Sequence, residues 1–151
     1  MTHLIEQLRR IREPRLLVLG DLMLDRYTWG SAERVSPEAP VLVLAADREE
    51  VRLGGAASVA GLLRGLKAEV VLAGIVGDDA AGRIAHRLFD ESGIDARLVA
   101  IDPNRPTTTK ERFIGRAANK HAHQILRVDR EICAPIESNQ ARRLAAAVIA
   151  E

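Results

Sequence analysis

The stretch LGGAASVAGLLRGLKAEVVLAGIVGDD, residues 53–79, decides the fold of this chain. Its glycine pair opens a predicted helix whose large apolar residues recur at helical spacing: Val59, Leu62, Leu63 and Leu66. Such a stripe favours a helix that lies on a sheet. The run from Val70 to Val76 is apolar on both faces, which is typical of a parallel strand covered on both sides by helices. Gly77-Asp78-Asp79 ends this strand and can cap the next helix.

The glycine pair Gly54-Gly55 has two interpretations. Glycine brings backbone N–H groups close to a neighbouring group, and a helix N-terminus favours oxyanions and hydroxyl oxygens. The pair could equally be only a tight turn, and the spacing by itself leaves both interpretations open.

The elements outside this stretch predict a doubly wound α/β structure. The buried strand from Arg15 to Leu19 ends at Gly20-Asp21, with Asp25 just beyond it, at the end of the strand where open α/β sheets bind ligands. Residues 81–88 predict a helix that stops at Ser92-Gly93, and residues 94–101 predict another strand. Right-handed crossovers would then bring Gly20-Asp21 and Gly77-Asp78 to one ligand face.

Two segments depart from this alternation. Residues 30–40 contain charges and prolines, and the insertion around them is too long for a plain loop, so we expect a small flap of strands that includes a short strand at residues 41–44. Residues 107–114 and 124–129 alternate in polarity and predict a β-hairpin. A last helix follows Pro135, and an amphipathic helix at the N-terminus is predicted to bury Leu4, Ile5, Leu8 and Ile11.

The composition describes one ordinary globular domain. The 151 residues are 47% hydrophobic and 28% charged, with a net charge of +1, so nothing in the bulk charge favours nucleic acid or an anionic membrane. The single cysteine, Cys133, fits a reducing cytosol. No apolar run is long enough for a membrane helix, and the N-terminus lacks the apolar core of a signal peptide. The predicted location is the cytoplasm.

Most catalytic motifs are absent from the sequence. It contains no Gly-x-Gly, no phosphate-binding P-loop, no nucleophile elbow and no zinc-ligand set, so we predict neither a catalytic residue nor a metal site within it. What remains are acids at strand ends, the amides of the glycine pair, and cations on the hairpin: Lys110, Arg112 and Arg127. Each cation alone could belong to a solvated strand face. Together with the acids, they suit a polyhydroxylated ligand that bears a phosphate.

Six motifs carry a resemblance to a known family. They are Val18-Leu19-Gly20-Asp21-Leu22-Met23-Leu24-Asp25-Arg26-Tyr27, Val35-Ser36-Pro37-Glu38-Ala39-Pro40-Val41, Gly54-Gly55-Ala56-Ala57, Gly77-Asp78-Asp79-Ala80-Ala81-Gly82, Arg105-Pro106-Thr107-Thr108-Thr109-Lys110 and Gln124-Ile125-Leu126-Arg127-Val128-Asp129. In this order they resemble the ribokinase-like (PfkB) carbohydrate kinases. The Ser-Pro-Glu-Ala-Pro and Arg-Pro-Thr-Thr-Thr-Lys segments resemble, more narrowly, the D-glycero-β-D-manno-heptose 7-phosphate kinases of lipopolysaccharide-core biosynthesis.

The resemblance implies a three-layer α/β/α sandwich with a small β flap, or lid, truncated in this chain. It implies phosphorylation by ATP, with Mg²⁺, of the anomeric hydroxyl of the heptose 7-phosphate to the 1,7-bisphosphate in ADP-heptose synthesis. The implied sugar-site residues are Asp25, Gly54, Gly55, Ser58, Arg34 and Glu38, and the implied ligands of the sugar's existing phosphate are Lys110 and Arg112. A homodimer through the flap is also implied.

Two departures from the family pattern matter. Related kinases usually have Asn where this chain has Ser58, which loses the reach of the amide. Family members are also roughly twice this length, a size typical of larger α/β domains. The family's Gly-Ala-Gly-Asp segment, with its general base and anion hole, does not occur here. We therefore expect residues 1–151 to be the N-terminal, sugar-binding part of one kinase domain, without the ATP-binding half and inactive alone.

Two other functions remain open at this point. One is a kinase of the same family that acts on a different sugar or phosphosugar, because the sheet and the glycine pair would be unchanged. The other is a non-catalytic module for sugar binding or dimerisation.

Overall fold

Three consecutive strands open the chain, strands and helices then alternate as far as residue 102, and two further strands and a helix follow. The structure is a computed structural model that describes residues 5–6, 14–117 and 121–151. In chain order the elements are β1 (Arg15–Leu19), β2 (Leu22–Val35), β3 (Leu42–Gly54), α1 (Gly55–Gly65), β4 (Glu69–Gly77), α2 (Ala80–Glu91), β5 (Asp95–Asp102), β6 (Thr108–Arg116), β7 (His123–Arg130) and α3 (Ser138–Ile149). Most of the predicted N-terminal helix lies outside the described residues, and Ile5, which it was predicted to bury, is exposed.

The core sheet is parallel, with the strand order β1-β4-β5. Its central strand, β4, is buried along almost its whole length, which confirms the prediction from its apolar run. Val70, Leu72 and Val76 belong to the main core with α1 and α2. Val71 and Ile75 alternate with them on the opposite face. Val71 lies beside Val148 of α3, and Ile75 lies beside Leu144 of the same helix. Helices therefore cover both faces of this sheet, as the predicted three-layer arrangement requires.

Helix α1 packs on the sheet through a different face from the one predicted. Its buried residues are Ala57 and Ala60, whereas Leu62 and Leu66 of the predicted apolar stripe are 70% and 77% exposed. The small alanines let the helix backbone approach the sheet closely, and the larger leucines then point away from it. Leu63 alone of the leucines packs against the core.

Helix α2 begins and ends where the sequence predicted. The Asp79 carboxylate accepts a hydrogen bond from the Gly82 N–H, which satisfies a free donor of the first turn. The helix ends at Ser92, and Gly93 follows with a φ of +64°, the left-handed conformation that stops many helices. Ala85 and Phe89 of this helix are buried in the core.

The flap is a four-stranded sheet with the order β3-β2-β6-β7. β2 pairs antiparallel with β3 and parallel with β6, and β6 pairs antiparallel with β7. The flap and the hairpin predicted from residues 107–129 are thus parts of one sheet, although residues 118–120 of the hairpin loop lie outside the described part. The predicted short strand at residues 41–44 is the beginning of β3, which runs for 13 residues to Gly54.

The flap is continuous with the core because β2 begins inside it. Leu22 and Leu24 are buried in the main hydrophobic cluster, while Val35 at the far end of β2 is 61% exposed. None of the helices in the described residues is long and apolar enough to cross a bilayer.

Candidate functional site

The turn at Gly54-Gly55 requires glycine. Gly55 has a φ of +55°, and a Cβ there would overlap the carbonyl oxygen of Asp21. The same carbonyl accepts a hydrogen bond from the Ala56 N–H at 2.9 Å. The N-terminus of α1 is therefore held against the junction between β1 and β2.

Asp25 lies just beyond β1, as predicted, and it is part of a second strand, β2, which begins at Leu22. Its Cα pairs with Arg52 on β3 and with Lys110 on β6, because the chain resumes strand conformation at Leu22. A Cβ on Gly54 would lie 2.9 Å from Asp25 Oδ2. Only the absence of a side chain at Gly54 lets this carboxylate lie against the start of α1.

Arg112 of β6 donates a hydrogen bond from Nη1 to Asp25 Oδ1 and forms an ion pair with it. The two side chains are 22% and 21% exposed, so water screens the pair only partly. The hydrogen bond to Asp25 raises the pKa of the Arg112 guanidinium above its usual value, so it stays protonated. Asp25 is therefore paired with an arginine of the flap.

Lys110 lies beside Asp25 in the register of β2 and β6. Its Nζ is 3.7 Å from Asp129 Oδ2, and Arg127 Nε donates to Asp129 Oδ1 at 2.9 Å. Lys110, Arg112 and Arg127 therefore share one face of the flap with two carboxylates, Asp25 and Asp129. This face can bind hydroxyl groups through its acids and phosphate oxygens through its cations.

An aromatic pair continues the same face along β2. The rings of Tyr27 and Trp29 stack with centroids 5.3 Å apart. The guanidinium of Arg52 lies 5.1 Å from the Tyr27 ring, and that of Arg48 lies 4.4 Å from the Trp29 ring. Glu50 pairs with both arginines, and its hydrogen bond from Arg52 lowers the pKa of the Glu50 carboxyl. The site therefore has a charged, aromatic wall at the flap.

A cavity of about 590 Å³ lies at the carboxyl ends of β1 and β4, next to this face. Gly20, Asp21 and Gly74 form part of its lining, together with Met23 and Thr108 from the flap strands. Met23 lies on the same face of β2 as Asp25, two residues away, so the cavity and the Asp25 cluster adjoin. The volume falls in the range of small-molecule sites.

Gly74, rather than Gly77, lies beside Gly20. A Cβ on Gly74 would be 2.7 Å from the Gly20 carbonyl oxygen. β4 extends four residues beyond the partner of Leu19, so Gly77-Asp78 is carried past the end of β1. Both pairs nevertheless follow the carboxyl ends of parallel strands, and the expectation that they belong to one ligand face stays a prediction.

The remaining residues of the predicted sugar site are spread over the structure. Ser58 is half-buried in the first turns of α1, near the glycine pair. Arg34 and Glu38 are exposed at the far end of the flap. Arg34 is nine residues along β2 from Asp25, about 30 Å in an extended strand. The structure brings together Asp25, Gly54, Gly55, Lys110 and Arg112, but not Arg34 or Glu38.

Asp79 and Thr107 form a hydrogen-bonded junction between the core and the flap. Thr107 donates from Oγ1 to Asp79 Oδ1 at 2.8 Å and from its backbone N–H to Asp79 Oδ2 at 2.9 Å. The Gly77 N–H donates to Thr107 Oγ1 at 2.9 Å. Burial alone would raise the pKa of the Asp79 carboxyl, but the hydrogen bonds from Gly82 and Thr107 lower it overall.

The sequence did not indicate a role for Thr107 or Gly74, or for the face of β2 that carries Tyr27 and Trp29. The i, i+2 spacing of Asp25, Tyr27 and Trp29 would have placed all three on one face if the strand had been extended through them. Thr107 carried no local signal, because its partners Gly77 and Asp79 are 30 and 28 residues away.

The described residues hold no group of three or more histidine, cysteine or acidic side chains that could bind a metal ion. The donors that converge at the candidate site are suited instead to an oxygen-rich organic ligand.

The chain belongs to the pfkB family of carbohydrate kinases, since the family described as "pfkB family carbohydrate kinase" matches residues 13–144. This confirms the resemblance drawn from the six motifs.

Curated relatives narrow the comparison. The "Bifunctional protein HldE" of Helicobacter hepaticus is 47% identical over 128 residues, which are 85% of this chain and 26% of that protein. The protein of the same name from Geobacter metallireducens is 50% identical over 125 residues, 83% of this chain and 24% of that protein. The chain thus spans about a quarter of the length of these relatives.

Solved structures show the same fold at low sequence identity. A carbohydrate kinase from Agrobacterium tumefaciens has a TM-score of 0.65 and 17% identity, covering 91% of this chain and 43% of that one. The ribokinase of Arabidopsis thaliana, solved with ribose and ATP, has a TM-score of 0.57 and 22% identity, covering 78% of this chain and 36% of that one. The ribokinase-like fold predicted from the sequence is confirmed.

Proposed function

We propose that this chain is the sugar-binding part of a kinase that phosphorylates D-glycero-β-D-manno-heptose 7-phosphate at its anomeric hydroxyl. The product would be the 1,7-bisphosphate of ADP-heptose and lipopolysaccharide-core synthesis. The observation that carries this proposal is the meeting of Asp25, the Gly54-Gly55 turn and the β6 cations on one face of the flap, which adjoins a cavity lined by Met23 and Thr108. The identity to HldE proteins supports the choice of a heptose phosphate over other sugars.

In this proposal each group has a separate task. Asp25 accepts hydrogen bonds from sugar hydroxyls, and the N–H groups at the start of α1 bind further sugar oxygens, with Ser58 beside them. Lys110 and Arg112 bind the phosphate that the sugar already carries. Arg34 and Glu38 reach a sugar only if another subunit or a flap movement brings them to one.

In this proposal ATP and Mg²⁺ bind to residues other than these 151. Phosphoryl transfer depends on positioning, metal and stabilisation of the transferred group, and in this proposal the general base also lies among residues that these 151 do not include. We propose that residues 1–151 alone catalyse no transfer, that the complete kinase is cytoplasmic, and that it dimerises through the flap. Val35 and Leu42, which pair at the flap tip, are 61% and 55% exposed and support the dimer.

The test is a sugar panel assayed with the complete kinase and ATP. The panel holds heptose 7-phosphate, unphosphorylated heptose, fructose 6-phosphate and ribose. Turnover with kcat/KM highest for heptose 7-phosphate supports the proposal. Preference for another member identifies a different kinase of the family, and sugar binding without turnover in the complete protein identifies a non-catalytic module.

A further inference from the structure

Thr107 precedes the flap strand that carries Lys110 and Arg112, and its hydrogen bonds connect that strand to the core. Its side chain is buried, with 2% of the residue exposed. The single hydroxyl accepts from the last N–H of β4 and donates to the carboxylate that caps α2. One oxygen therefore joins β4, α2 and the start of β6.

The backbone around this hydroxyl is closely packed. A Cβ on Gly77 would overlap the carbonyl oxygen of Arg105 and lie 2.7 Å from the Thr107 nitrogen. The preceding turn is fixed by Asp102, whose carboxylate accepts from the Asn104 N–H at 2.9 Å and from Arg105 Nε at 3.0 Å. The turn that precedes β6 is therefore held by hydrogen bonds to Asp102.

β6 transmits this fixed position directly to the candidate site. From Met23↔Thr108 to Ser31↔Arg116, its pairing with β2 is uninterrupted by any bulge. Lys110 and Arg112 follow Thr107 by three and five residues. A shift of one residue in this register would turn both cations to the other face of the flap, away from Asp25.

We infer that Thr107, held by Asp79, is a positioning residue for substrate binding: it sets where the β6 cations stand relative to Asp25. It touches no substrate and acts only through Lys110 and Arg112. The inference rests on the proposed function, which gives those cations the sugar's phosphate.

Thr109 offers a matched control two residues further along the same strand. It is also buried, at 3% exposure, and its hydroxyl donates to the carbonyl oxygen of Thr107 at 3.1 Å. Thr107→Val and Thr109→Val each remove one buried hydroxyl of the same shape. Only Thr107→Val removes the hydroxyl's bonds to β4 and to the Asp79 cap of α2, whereas the Thr107 N–H still donates to Asp79 Oδ2.

The experiment compares these variants, with Thr107→Ser, in the complete kinase, by measuring Tm and the KM of the phosphosugar and of ATP. We expect Thr107→Val to raise the sugar KM about tenfold, since a buried hydrogen-bonded link is lost, and to leave the ATP KM within about twofold. Thr107→Ser should restore the sugar KM. Thr109→Val should lower Tm while the sugar KM stays that of the wild type.

Equal sugar KM values for Thr107→Val and Thr109→Val would overturn the inference and leave Thr107 a purely structural residue. If Thr107→Val does not fold, Asp79→Asn decides, since it weakens the same link from the other side. A wild type that rejects heptose 7-phosphate contradicts the proposed function instead. The variants are then compared on the panel sugar that the wild type accepts, so the two failures are distinct.

Discussion

Arg112 and Asp25 form an ion pair across the flap although 87 positions separate them in the sequence. The pair joins Asp25, proposed to accept hydrogen bonds from sugar hydroxyls, to Arg112, proposed to donate hydrogen bonds to the sugar's phosphate. The charge of each is balanced by the other in the absence of a sugar, so neither is left as an isolated charge in a partly buried place.

Asp25→Ala tests the acceptor role of Asp25. In the complete kinase we expect kcat/KM for the sugar to fall roughly ten- to hundredfold, because a lost partner leaves sugar hydroxyls unpaired at a cost of about 1–3 kcal/mol. The KM of ATP should change little. Steady-state kinetics and Tm are measured on the same sample. A lower Tm with unchanged sugar kinetics would remove Asp25 from the site.

Arg112→Gln tests recognition of the phosphate. We expect the preference for a phosphorylated over an unphosphorylated sugar to fall roughly tenfold or more, since a hydrogen bond to a charged group contributes about 1.5–3 kcal/mol. Arg116→Gln is the matched control, because Arg116 lies on the same strand and pairs with Asp47 in an exposed position. An equal loss of preference in both variants would mean that Arg112 acts only as a surface charge.

The Asp79 carboxyl predicts a pH dependence of stability. Its folded pKa is lowered, so its stabilising contribution is fully present above the unfolded pKa of about 3.9 and is lost as the pH falls through the folded pKa. Asp79→Asn should lower the free energy of unfolding near neutral pH, and the difference from the wild type should shrink in acid. Urea unfolding from about pH 7 to about pH 3 measures this. Asp78→Asn, at the exposed neighbouring position, should change neither quantity, and a constant Asp79→Asn difference across the range would contradict the prediction.

Gly55→Ala tests the turn at the start of α1. The positive φ and the overlap with the Asp21 carbonyl should lower the free energy of unfolding by about 1–3 kcal/mol or more. Gly61→Ala is the control in the same helix, where a Cβ meets nothing within 4 Å. That change should be neutral or stabilise by about 0.5–1 kcal/mol. Denaturant unfolding compares the two, and equal effects would mean that the turn conformation is not required.

Leu42→Asp tests the flap dimer. A charge at this exposed position of the flap tip should shift the complete kinase from dimer to monomer in sedimentation velocity, because it would be buried unpaired in the interface. Ile101→Asp, on β5 of the core sheet and equally exposed, should leave the dimer intact. A dimer that persists in Leu42→Asp places the interface elsewhere.

Local sequence was sufficient for the elements whose signals are local. The apolar run of β4, the Asp79 cap and the Gly93 stop each predicted a boundary correctly. The face of α1 was predicted wrongly, because periodicity marks where apolar residues lie but does not tell alanine packing from leucine packing. Ala57 and Ala60 face the sheet, and Leu62 and Leu66 do not.

The residues of the candidate site come together through strand pairings that no local sequence pattern predicts. Asp25 meets Arg112 only because β2 and β6 pair in parallel, a contact between distant parts of the chain. The prediction also gave β3 only residues 41–44 and did not define β2 as a single strand. Charged and polar residues interrupt the apolar alternation that marks a half-buried strand in both. The family resemblance supplied Asp25, the glycine pair, Lys110 and Arg112, but not the strand pairing that brings them together.

The continuity of β2 from core to tip has a mechanical consequence. The 14 residues of β2 form one strand that begins among buried leucines of the core. This strand therefore connects the flap to the core without an intervening flexible segment. Any displacement of its tip must be taken up by bending the strand itself. The two irregularities in its pairing with β3, at Trp29/Gly30 and between Ser31 and Arg34, are the places where the ladder can yield. The segment from Leu22 to Trp29, including Asp25, would then stay fixed to the core while the tip moves over it.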